Sequence, residues 1–132
     1  MLSVALACRL RDAGLVWRPR LFDFFHIPDR DFDRVFVIAD LSVDVQRLAD
    51  GIAAITFNGA VEWSLDYILQ QDVVWMPTES QIRERLGASL EALERIDGGY
   101  VCRLVDGAAF EAETAADAYG EAFLRILDGS AV

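Results

Sequence analysis

LEALERIDGGYVCRLVDGAAFE, residues 90–111, decides the fold class of this 132-residue chain. Tyr100 to Val105 is rich in β-branched and aromatic side chains and reads as a strand. Asp97-Gly98-Gly99 before it and Asp106-Gly107 after it are tight-turn sequences, the second leading into Ala109-Phe110-Glu111. Leu90, Leu93 and Ile96 also suit a helix, but the turn that follows them favours a strand over 90–96. The stretch is therefore a three-stranded meander, with no room for the crossovers that a parallel sheet needs.

Helix signals flank the meander. Upstream, Thr78-Glu79-Ser80-Gln81 is a capping box, with a hydroxyl at the cap and an amide three residues on, and predicts a helix to Leu86 that Gly87 ends. Downstream, Thr114-Ala115-Ala116-Asp117 opens a final helix with Ala118, Ala122, Phe123, Ile126 and Leu127 on its apolar face, closed by Asp128-Gly129. At the N-terminus Ser3 caps a helix marked by Leu2, Leu6 and Leu10, with Gly14 as its stop and Leu15 packing back over it.

Between these lie less decisive segments. Leu21 to Ile27 is strand-like, with Leu21, Asp23 and Phe25 on one face. Val35 to Ala39 reads as a buried strand, and residues 43–57 as a hairpin, with a helix over 43–49 as the alternative. Asn58 precedes a helix expected over about 60–70, where Val61, Leu65, Ile68 and Leu69 follow helical spacing. Val73 to Met76 is a short extended link. The expected architecture is one α+β domain over 1–132. Its antiparallel sheet of β-hairpins and a meander is flanked by N-terminal, central and C-terminal helices.

The bulk composition bounds the function. The net charge is −10, with twelve basic residues against twenty-two carboxylates. Such a balance repels nucleic acid and anionic lipid alike, so neither is an expected partner. The charge is uneven: residues 1–20 hold Arg9, Arg11, Arg18 and Arg20 against Asp12, a local +3 that leaves −13 elsewhere. This is either a solvated surface with one basic corner or a corner that meets an acidic patch on a partner subunit. The apolar fraction is 54%, high for so small a domain, and a subunit interface is the economical place for the excess. Cys8 and Cys102 fit no metal or redox spacing and suit a reducing cytoplasm. The apolar run Val4 to Cys8 is too short for a signal peptide, and no stretch approaches a bilayer span.

Few residues carry chemistry. Glu62 and Asp66 lie four apart, with Asp72 beyond, and paired carboxylates can bind a divalent cation or divide acid and base roles. Equally, Glu62 suits the first turn of the expected helix. His26 is the only histidine and sits beside Phe24 and Phe25, where a packed side chain is the simpler account. Neither phosphate-binding glycine motif occurs, and no cofactor is expected. Trp63 and Tyr67 would share a helix face away from Val61 and Leu65, and Trp75 precedes the capping box. These three aromatics are either core or the anchors of a protein contact.

Four stretches, FNGAVEWSLDY (57–67), VWMPTESQIRERLG (74–87), IPDRDFDRVFVIADLSVDV (27–45) and LERIDGGY (93–100), together resemble a family of small bacterial proteins of high-GC genomes often labelled "pilus assembly protein CpaE". That label implies a MinD-like ATPase, whose phosphate loop this chain does not carry. In topology alone the chain is similar to the dimeric class I chaperones of type III secretion, which implies a homodimer whose surface holds an unfolded segment of a client. The expectation is a non-enzymatic cytoplasmic adaptor or chaperone-like homodimer that binds protein. The alternative is a metal-dependent hydrolase using Glu62 and Asp66.

Overall fold

A computed structural model describes residues 1–28, 35–38, 43–47, 53–57, 67–69 and 73–130, with side chains described for 1–28, 35–38 and 73–129. The fold is α+β: the described residues form three α-helices and three antiparallel three-stranded sheets. The chain divides into two compact units, Met1–Val16 with Met76–Val132, and Trp17–Trp75.

The first unit holds α1 (Val4–Asp12), α2 (Glu79–Leu86), β7 (Leu90–Ile96), β8 (Gly99–Leu104), β9 (Ala109–Ala112) and α3 (Ala115–Ser130). Its sheet is the expected meander in the order β7-β8-β9, with Leu93 opposite Cys102 and Cys102 opposite Phe110. Residues 90–96 are a strand, because pairing along the whole of β8 outweighs their local compatibility with a helix. Helix α3 packs on β8 and β9, and α1 and α2 pack on α3. Leu6, Leu10, Ile82, Cys102, Tyr119 and Phe123 are among the buried side chains of this core.

The caps follow the sequence closely. Ser3 Oγ accepts from the Leu6 amide, and Thr78 and Gln81 form both bonds of a capping box at 3.2 and 2.8 Å. Helix α1 ends in a Schellman motif: the Leu15 amide reaches the Leu10 carbonyl and the Gly14 amide the Arg11 carbonyl. Gly14 takes φ 105°, which a Cβ would resist. Gly120 serves another end. It lies inside α3, where a Cβ would come within 2.7 Å of Leu2 and Leu6, so its bareness lets α1 approach. The Asp117 carboxylate, accepting the Ser3 amide at 2.8 Å, ties the two helices again. Gly129 does not end α3, which continues to Ser130.

The second unit holds β1 (Phe24–His26), β2 (Val35–Val37), β3 (Val43–Arg47), β4 (Ala53–Phe57), β5 (Tyr67–Leu69) and β6 (Val74–Trp75). One sheet has the order β2-β1-β6 and the other β3-β4-β5. The 43–57 hairpin is present, with Val43 opposite Phe57 and Arg47 opposite Ala53; the residues between its strands lie outside those described.

Three expectations are corrected here. Tyr67–Leu69 is a strand, not the end of a helix over 60–70, since Ile68 pairs with Ile55 and Tyr67 with Thr56. So short an apolar run follows its pairing partner more readily than its own propensity. Val73–Met76 is no mere link: Val74 and Trp75 form a strand against His26 and Phe25. The strand read over Leu21–Ile27 begins only at Phe24, because Leu21 and Phe22 lie in a turn.

Candidate functional site

That turn is the most constructed feature of the second unit. Trp17 leads into Arg18-Pro19-Arg20, and the Asp23 amide then donates to the Arg20 carbonyl at 3.1 Å, closing a β-turn with Leu21 and Phe22 at its centre. Phe22 has φ 70° and is the one non-glycine residue at positive φ among the described residues. A positive φ confined to the second central position marks a turn of the type II kind, where glycine or asparagine is the usual choice. A phenylalanine there costs about 1–2 kcal/mol of backbone strain.

Several bonds overdetermine this geometry. Asp23 is only 5% exposed, and its Oδ2 accepts both the Trp17 indole N–H and the Arg20 amide, each at 3.0 Å. Buried carboxylates are stable when their lone pairs are taken up in this way. The Phe22 amide donates to the Ile38 carbonyl at 2.7 Å, and the Ile38 amide to the Asp23 carbonyl at 2.9 Å, which extends the β1–β2 ladder to the foot of the turn. Below it, Trp17 stacks on Trp75 at 6.5 Å and meets Phe25 at 6.0 Å, while Phe25 stacks on Phe36 at 5.6 Å.

The turn presents its side chains outward. Phe22 is 68% exposed and Leu21 45%, with Arg18 and Arg20 exposed beside them. Neither guanidinium enters an ion pair among the described residues. An exposed leucine and aromatic that directly follow two exposed arginines, on a backbone already ordered, suit contact with another protein.

The residues singled out from the sequence fall elsewhere. Trp63, Glu62, Asp66 and Asp72 lie outside the described residues. Tyr67 is at the start of β5, so the helical face it was expected to share with Trp63 does not extend to it. Trp75 is a core residue at 8% exposure, stacked on Trp17, and is no exposed anchor. His26 is buried in β1, opposite Val35 and Val74. Among the described residues no group of three or more His, Cys, Asp or Glu is placed to hold a metal ion, and no helix is long and apolar enough to cross a membrane.

Sequence reading missed Phe22 because its run of aromatics resembles a strand. The available signal was Pro19 with Asp23 four residues on, a turn pattern without its glycine. Compared with known proteins, the chain matches no family model, no curated protein and no solved structure.

Proposed function

We propose that this is a non-enzymatic protein-binding protein, an adaptor or chaperone-like homodimer of the cytoplasm. It acts through contact, with the exposed residues 18–22, which lead into and form the tip of the turn, as a principal binding element. The observation that carries this reading is Phe22, 68% exposed yet held at φ 70° by a turn that a buried carboxylate organises. Backbone strain of this kind persists where the surroundings enforce it, and it concentrates at functional sites. An exposed phenylalanine gains the fold nothing that glycine would not supply at lower strain; a partner that covers it would gain a large apolar surface.

Other features support the same reading. The apolar excess of a small acidic chain suits a protein whose surfaces are covered by others. Two free thiols, one of them buried, fit a reducing compartment.

The test is affinity capture from an extract of the native host with immobilised wild type and Phe22→Ala. The expected outcome is a defined set of captured proteins that the variant retains at about a tenth of the wild-type level or less, as for a central aromatic contact. Equal capture by both would remove Phe22 from the contact.

A further inference from the structure

Resting on the reading of this turn as a protein contact, we propose that its occupant is a second copy of the same chain. Arg18 and Arg20 would lie against carboxylates of the other copy, with Leu21 and Phe22 excluding water between them.

Charge selects this occupant. Outside residues 1–20 the chain carries a net −13, while those twenty residues carry +3. Of the four arginines in that segment, Arg9 is held by Glu121 at 2.9 Å and Arg11 by Asp12 at 3.0 Å. Among the described residues, positive charge is therefore left at Arg18 and Arg20, which come just before the exposed apolar tip. A second copy offers the complement in abundance. Glu91, Asp97, Glu111 and Glu113 are all exposed and enter no ion pair among the described residues.

Symmetry uses the match twice, since in a twofold dimer each copy gives one turn and receives one. Arginine suits the role better than lysine because it is less strongly hydrated and binds carboxylates through a planar fork. The turn is already ordered by Asp23, so little conformational freedom is lost on association.

The test is sedimentation equilibrium of the full chain over a range of concentrations. Wild type is compared with Phe22→Gly, with Arg18→Glu/Arg20→Glu, and with Arg83→Glu/Arg95→Glu, which changes the net charge by the same amount at two other exposed arginines. Phe22→Gly suits the positive φ and removes only the side chain, so it tests the contact in a folded protein. The expected result is a mass twice 14.7 kDa for wild type, a dissociation constant raised about tenfold or more in the first two variants, and a smaller change in the third.

A 14.7 kDa species at every concentration overturns the proposal. So does a dimer that the first two variants leave intact, or one that the third weakens equally. A monomer that still captures host proteins through Phe22 would defeat this inference and the homodimeric part of the proposed function, and leave the protein-binding role of the turn standing, its occupant being a different acidic protein. A dimer lost on turn substitution, in a protein that captures nothing, would do the reverse.

Discussion

The indole N–H of Trp17 donates to the buried carboxylate of Asp23 at 3.0 Å, and the same oxygen also accepts the Arg20 amide. This one side chain joins the aromatic core of the second unit to its exposed turn. Trp75 stacks on the Trp17 ring and Asp23 accepts its N–H, so the turn inherits the rigidity of the core.

Removal of the carboxylate should therefore loosen both. Asp23→Ala leaves an indole N–H and a backbone amide without their acceptor, at about 1–3 kcal/mol for each group left dry. The expected loss is roughly 3 kcal/mol, with a smaller loss for Asp23→Asn, which keeps one carbonyl oxygen. Urea unfolding followed by tryptophan fluorescence measures it. An unchanged midpoint for Asp23→Ala would show that the turn is held by something else.

Trp75 and Phe22 should respond oppositely to truncation. Trp75→Ala empties a buried, stacked position and is expected to cost about 3–5 kcal/mol. Phe22→Gly gives up an exposed ring but relieves positive-φ strain, so stability should hold or rise by up to about 1 kcal/mol. Thermal melts of the two variants side by side separate the core aromatic from the contact aromatic.

At the start of α2, Thr78→Ala removes the hydroxyl that accepts the Gln81 amide. The Gln81 side chain would keep its own bond to the Thr78 amide, so only half of the capping box is lost. A loss of about 1 kcal/mol is expected by urea titration, with partner capture unchanged. A midpoint equal to wild type would contradict this cap.

Gly120→Val tests the α1–α3 contact. Any Cβ at this position presses on the Leu2 and Leu6 side chains, both buried, and a branched one has no room to turn aside. Overpacking should outweigh the gain in helix propensity and destabilise by about 1–3 kcal/mol. Replacement of Leu6 by Ala in the same chain should recover part of that loss, a coupling that a double-mutant cycle reads directly.

The two thiols should differ. Burial pushes the Cys102 thiol above its ordinary pKa, whereas Cys8 is half-buried on α1. One thiol, Cys8, should react with a disulfide reagent in the folded protein, and both after unfolding. Because the folded pKa of Cys102 is the raised one, its contribution to stability is complete below the unfolded thiol pKa. It is lost as pH rises through the folded value. The decline in unfolding midpoint above about pH 9 should be shallower in Cys102→Ala.

The meander and the helix starts were legible in the sequence alone, because chemistry within a few residues sets them. The glycine-bearing turns at 97–99 and 106–107 define the meander. Ser3, Thr78 and Thr114 start the three helices, and Gly14 with Leu15 ends the first. Each depends on a donor, an acceptor or a permitted φ close along the chain, so local sequence suffices. Tertiary structure decided the rest. Tyr67–Leu69 became a strand because β4 lay ready to pair with it, and Val74-Trp75 did so because of β1. Trp75 went into the core because Trp17, far away in sequence, offered a face to stack on. Phe22 came outward, in a conformation its own side chain disfavours, because the Asp23 carboxylate holds the Arg20 amide before it and Ile38 bonds both the Phe22 amide and the Asp23 carbonyl after it. Pairing and burial at long range outweigh a propensity of a few tenths of a kcal/mol per residue, and no periodicity in a short aromatic run records which way they will act.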